Sequence, residues 1–135
     1  MAYKIEEIEG IGPSYAQKLA VVGIRTTAEL LKQCAGGSGR QSVAAKTGVN
    51  DALLLKWVNL ADLMRIPGIG SEFSELLEGS GVDTVRELRN RNADNLAAKL
   101  QDVNRARRLT RMTPGPKSVA KWIRHAQELP PIITY

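Results

Sequence analysis

Ile8-Glu9-Gly10-Ile11-Gly12 returns 58 residues later as Ile66-Pro67-Gly68-Ile69-Gly70, and the match runs on through Leu31 and Arg89 with nine identities in twenty-four positions. Besides the glycines and isoleucines, the shared residues are Leu19/Leu77, Gly23/Gly81, Thr26/Thr84, Glu29/Glu87 and Leu30/Leu88. They are apolar anchors and residues with special backbone roles. A Gly-Ile-Gly triplet predicts a tight bend, because glycine reaches positive φ and leaves no side chain between the backbone and an approaching group. Helices should flank each bend. Pro13 suits an opening helical position, Tyr15, Ala16, Leu19 and Val22 recur at helical spacing, and Gly23 suits a left-handed C-terminal cap. Phe73, Leu76, Leu77 and Gly81 repeat the plan. Thr26-x-x-Glu29 and Thr84-x-x-Glu87 then read as capping boxes, which start two further helices.

Working outward, Gly36-Gly37-Ser38-Gly39 reads as a loop before a short helix near Arg40 to Thr47, and Gly48-Val49-Asn50 as a turn. Asp51 to Ile66 reads as one long helix with Leu54, Trp57, Val58, Ala61 and Met64 on its apolar side, stopped by Pro67. Asp94 to Asp102 and Asn104 to Met112 read as two helices, and Lys117 to Leu129 as a last one ended by Pro130-Pro131. A second self-match, shifted by 65, lays Lys56-Trp57-Val58 on Lys121-Trp122-Ile123 and so pairs the turn before each tryptophan helix. The expectation is an all-α protein of tandem pseudo-repeated units, with halves 1–62 and 63–135 joined by the long helix. The only stretch with any strand character is Ile132-Ile133-Thr134-Tyr135.

Composition narrows the function classes. The chain has 135 residues, 43% hydrophobic and 24% charged, which excludes a disordered chain, and no apolar run reaches the ~18 residues of a membrane span. MAYKIEEIEGIG lacks the apolar core of a secretory signal, which points to a cytoplasmic protein. A single cysteine, Cys34, and a single histidine, His125, rule out a disulfide within the chain and a Cys/His zinc site. Neither sits in a catalytic pattern, and no phosphate-loop lysine, Ser/His/Asp signature or paired carboxylates occur, so the expectation is no enzyme, no metal and no cofactor. Trp57, Trp122, Tyr15 and Phe73 read as core anchors.

Charge is uneven. Residues 1–62 hold seven Lys/Arg against six Asp/Glu, and residues 63–135 hold twelve against eight. Between Val103 and Gln127 there are seven cations (Arg105, Arg107, Arg108, Arg111, Lys117, Lys121, Arg124) and no carboxylate, a pattern suited to a polyanion. With helical spacing, Val103, Ala106, Leu109 and Met112 fall opposite the four arginines, and Lys117, Lys121 and Arg124 form a stripe beside the Gly115 turn. A basic C-terminal helix pair is therefore the strongest electrostatic candidate.

The duplicated Gly-Ile-Gly segments, with Ala16, Leu19, Gly23-Ile24, Thr27 and Leu30, resemble the helix-hairpin-helix family of DNA-binding modules that do not read base sequence. The chain as a whole is similar to a bacterial family of tandem helix-hairpin-helix proteins classed as a domain of unknown function. The resemblance implies that hairpin amides and a helix start hold a backbone phosphate, with Gly10, Gly12, Ser14 and Lys18 as the candidates in the first copy and Gly68, Gly70 and Ser71 in the second. It also permits a monovalent cation on the hairpin carbonyls. Bare N–H groups at the positive end of a helix attract an anion on physical grounds as well. Glu72, Glu75 and Glu78 oppose a phosphate at the second turn, which makes that turn architectural, and Glu6, Glu7 and Glu9 weaken the first. The expected partner is nucleic acid, chiefly double-stranded DNA. The alternative class is a protein scaffold or self-associating module, favoured by the acidic second turn and the apolar tail.

Overall fold

The computed structural model describes residues 2–135. The fold is all-α, with eight helices among those residues: α1 (Pro13–Val21), α2 (Thr27–Cys34), α3 (Gly37–Thr47), α4 (Asp51–Leu63), α5 (Ser71–Gly79), α6 (Val85–Leu88), α7 (Ala93–Arg107) and α8 (Pro116–Glu128). No strand forms among the described residues; Lys4 and Thr26 make one isolated antiparallel bridge.

Local chemistry accounts for most of the helix starts. The side chains of Thr26, Asn50, Thr84 and Asn92 accept amides of the first turns of α2, α4, α6 and α7. Each fills a donor that the helix itself cannot satisfy. Glu29 reaches back past the N-cap residue to accept the Arg25 amide at 2.9 Å, and that bond holds its carboxyl below the usual range. By contrast α1, α5 and α8 begin at Gly12, Gly70 and Gly115, with no side chain capping any of them.

The two Gly-Ile-Gly turns have matching backbones. Ile11 bonds back to the Ile8 carbonyl and Ile69 to the Ile66 carbonyl, both at 3.1 Å. Gly10 and Gly68 take φ of 95° and 93°, a region that a Cβ makes costly. A tryptophan lies against each turn. A methyl built on Gly10 would stand 3.7 Å from the indole nitrogen of Trp57, and one on Gly68 only 3.3 Å from that of Trp122. Tyr15 meets Trp57 edge-on at 5.0 Å, and Phe73 meets Trp122 at 5.2 Å.

Two apolar clusters result. Ile5, Ile8, Leu19, Ile24, Leu30, Leu54 and Trp57 centre the first, and Leu63, Ile66, Leu77, Val82, Leu100 and Trp122 the second. α4 contributes to both, since Ala61 belongs to the first cluster and Leu63 to the second. The expectation that both tryptophans are core anchors holds: Trp57 is 1% exposed and Trp122 5%.

Asp62, 2% exposed, ties the C-terminal end of α4 to the start of α6 by accepting the Val85 amide at 2.9 Å. It also pairs with Arg65 at 2.8 Å, and Arg65 reaches on to the Pro130 carbonyl. Arg89 holds the end of α8 through the Ala126 and Leu129 carbonyls. After α8 the chain turns back across the first half: Ile132 and Ile133 pack on its core, and Thr134 donates to the Ala35 carbonyl at 2.8 Å.

Several sequence expectations need correction. The glycine stretch after Cys34 is the first turn of α3 rather than a loop, because α3 crosses so close to α2 that a Cβ on Gly39 would collide with the Gln33 carbonyl. The long helix stops at Leu63, before Ile66. The two helices expected from Asp94 to Met112 are one, α7, which ends at Arg107. Leu109 and Met112 therefore share no helical face with Val103, and Met112 is 77% exposed. The tail forms no strand.

Candidate nucleic-acid interface

The basic segment is built as a helix end, a clamped loop and a helix start. α7 ends where Arg108 takes a left-handed conformation, φ 52° and ψ 49°. Asn104 then organises the loop. Its side-chain oxygen accepts the Thr110 amide at 2.9 Å, while its nitrogen donates to the Thr110 carbonyl at 3.1 Å and to the Thr113 hydroxyl at 3.2 Å. The Thr110 hydroxyl closes the loop on the Met112 carbonyl at 2.7 Å. Arg108 and Arg111 thus project from an ordered loop rather than from a helix face. Sequence reasoning missed Asn104 because its partners lie six and nine residues ahead, outside any capping pattern.

At Gly115 the chain enters α8 through an extended residue, and a Cβ there would meet nothing within 4 Å. Pro116 has no N–H, and Val119 is the first residue to bond back, to the Gly115 carbonyl at 3.1 Å. The Lys117 and Ser118 amides are therefore donors without an intrahelical acceptor, at the positive end of the helix dipole. Val119, Trp122, Ile123 and Ala126 bury one face of α8, which turns Lys117, Lys121 and Arg124 outward, where all three are exposed. Beside the turn runs a shallow groove lined by Ala97, Ala98 and Gln101 of α7, with one carboxylate, Asp94.

The cations fall into three groups. Arg108, Lys117, Lys121 and Arg124 have no carboxylate within 4.0 Å among the described residues. Arg105 sits 3.7 Å from Asp102 and Arg111 3.9 Å from Glu72, exposed pairs of little strength. Arg107 leans onto α5, where its guanidinium occupies the space a side chain on Gly79 would need. Its charge also acts on Glu75. Two acids of α5, Glu72 and Glu75, therefore face cations of the basic segment. Burial pushes the Glu75 carboxyl above its usual range, and Glu9 of the first turn adds to the shift.

At the first turn, Gly10, Gly12, Ser14 and Lys18 are all exposed, and nothing lies within 4 Å of a Cβ on Gly12. Ala16 bonds back to the Gly12 carbonyl at 3.0 Å, leaving the Ser14 and Tyr15 amides open. Lys18 rests its ammonium 5.6 Å from the Tyr15 ring centroid. At the second turn Gly68 is exposed, whereas Gly70 and Ser71 are half-buried and the Ser71 carbonyl accepts the Ser74 hydroxyl.

Among the described residues, no cluster of three metal-ligating side chains occurs and no helix is long and apolar enough to cross a membrane. Cys34 is buried, and burial pushes its thiol up to about 11. His125 is half-buried in α8.

A family model matches residues 9–129, from the first glycine turn to the end of α8. The chain belongs to DUF4332, a domain of unknown function. All three glycine turns lie inside the DUF4332 stretch, as do Asn104, Asp94 and the α8 stripe. No curated protein and no solved structure matches the chain.

Proposed function

We propose that this DUF4332 protein binds the sugar-phosphate backbone of double-stranded DNA, independently of base sequence and without catalysis, as a tandem helix-hairpin-helix protein. The Gly115 turn with Arg108, Lys117, Lys121 and Arg124 is the principal contact. Gly10, Gly12, Ser14 and Lys18 form a second, weaker one, and the second turn is architectural. The supporting observation is the start of α8, where two unbonded amides, an open glycine and three exposed lysine and arginine side chains without carboxylate partners occur together. A phosphate needs that combination, and neither the amides nor the cations distinguish one base pair from another.

Four unpaired cations neutralising about four phosphates give a slope of log affinity against log salt of about −3.6, or a roughly 150-fold loss between ~50 and ~200 mM salt. Fluorescence anisotropy with two unrelated duplexes measures it. Equal affinity for both is expected, and Lys121→Ala with Arg124→Ala should flatten the slope by about 1.8 while Ser71→Ala leaves it unchanged. No complex at ~50 mM salt, an affinity that ignores salt, or an unaltered slope in the double variant refutes the reading. The alternative, a protein scaffold or self-associating module, rests on the acidic second turn, the modest net charge and the apolar tail, of which Ile132 and Ile133 pack on the first half while Tyr135 is exposed.

A further inference from the structure

The chain after α8 behaves as a strap that belongs to one half by covalent connection and to the other by contact. It leaves α8 at Leu129, passes the exposed Pro130 and Pro131, and lies across the junction of α2 and α3. There Ile132 and Ile133 pack on the first cluster, Thr134 donates to the Ala35 carbonyl at 2.8 Å, and the Thr134 carbonyl accepts Arg40 at 2.6 Å. The Tyr135 ring lies 5.9 Å from the Arg40 guanidinium, and the seat is shaped by Gly37, where a Cβ would stand only 2.9 Å from the Tyr135 carbonyl oxygen.

Arg40 makes this seat unusual. It is 4% exposed, its other acceptors are the Cys34 and Ala35 carbonyls at the end of α2, and no carboxylate lies within 4.0 Å of it among the described residues. An empty seat removes one of three acceptors from a buried guanidinium and uncovers two isoleucine sites, so the seat favours an occupant strongly. The two prolines that form the hinge have no N–H to donate and resist tight folding. Any copy of this chain carries a strap with identical contacts.

We propose that the seat at the α2–α3 junction also accepts the strap of a second copy, so that two chains exchange residues 132–135 and form a reciprocal dimer. The short hinge keeps the chain's own strap at an effective concentration in the millimolar range, so the single chain prevails at micromolar protein and exchange emerges as protein approaches ~1 mM.

Tagged and untagged full-length chains, mixed at ~1 mM in urea below the unfolding transition and returned to buffer, test it. Untagged chain should be recovered with tagged chain, at the mass of two chains by light scattering; no co-recovery refutes the proposal. Ile132→Asp with Ile133→Asp in both preparations should abolish co-recovery, and persistence would place the contact elsewhere and refute it. Removing Pro130 and Pro131 shortens the hinge by ~6 Å, which prevents the strap from reaching its own seat. That variant should dimerise at a roughly hundredfold lower concentration. A monomer with a freely exchanging Thr134 amide overturns the proposal.

Discussion

Replacing Asp62 with alanine tests the tie between α4 and α6. The carboxylate is 2% exposed and accepts the Val85 amide at 2.9 Å and Arg65 at 2.8 Å. Alanine strands the Val85 N–H, and Val85 is fully buried, so water cannot replace the lost acceptor. A buried donor without a partner costs about 1–3 kcal/mol. Arg65 suffers less: its side chain is 17% exposed and it keeps the Pro130 carbonyl, so its share is about 1 kcal/mol. The expected loss is about 3 kcal/mol. With an unfolding entropy of about 280 cal/mol/K for a chain of this length, the melting temperature falls by about 10 °C. Asp62→Asn keeps an oxygen for Val85 and loses only the ionic part, so it should cost about half as much. Urea unfolding followed by far-ultraviolet circular dichroism, extrapolated linearly, gives both values. A drop below ~1 kcal/mol for alanine, or an asparagine variant as damaged as the alanine one, refutes the role assigned to the Val85 bond.

Asp94→Asn removes the carboxylate from the groove beside Gly115 and should raise DNA affinity about threefold at low salt, taking a phosphate ~7 Å away in water-like dielectric. Anisotropy reads it, and a weaker complex would place the DNA elsewhere. The Cys34 thiol, with its pKa pushed to about 11, keeps its proton in the folded chain while the unfolded thiol loses it near 9. The unfolded state thus binds fewer protons above pH 9, and stability should fall between pH 9 and 11 by roughly 2 kcal/mol more than in Cys34→Ala. Parallel alkaline profiles would contradict this. Gly68→Ala should cost more stability than Gly10→Ala, since φ is nearly equal at the two positions but the Trp122 indole stands closer to Gly68. About 1–2 kcal/mol is expected for Gly10→Ala, with a further loss for Gly68→Ala measured by the same urea titration.

The residues that announced themselves in the sequence act locally. Thr26, Thr84, Asn50 and the glycines of the two turns work within a few positions, so their spacing carries the information. The end of α7 gave no such notice: Val103, Ala106, Leu109 and Met112 keep helical spacing past Arg107, and the stop is a left-handed arginine where a glycine would have been readable. The glycine stretch from 36 to 39 misled in the opposite direction, because the smallness of Gly39 serves the close crossing of α2 and α3 and that of Gly37 the seat of the strap. At the candidate interface the residue types were legible and their pairing was not. The approach of Arg107 to Gly79 and of Arg111 to Glu72 is tertiary, as are the bonds from Asp62 to Val85 and from Arg40 to Thr134, the last spanning 94 residues.

The placement of Trp57 and Trp122 makes each cluster its own optical reporter. With the chain's only two indoles divided one per half, Trp122→Phe leaves an emission signal that sees the α1 side alone and Trp57→Phe one that sees the α8 side alone. Superimposable unfolding curves from the two variants then mean that the halves lose structure as one cooperative unit, and staggered curves rank them by resilience.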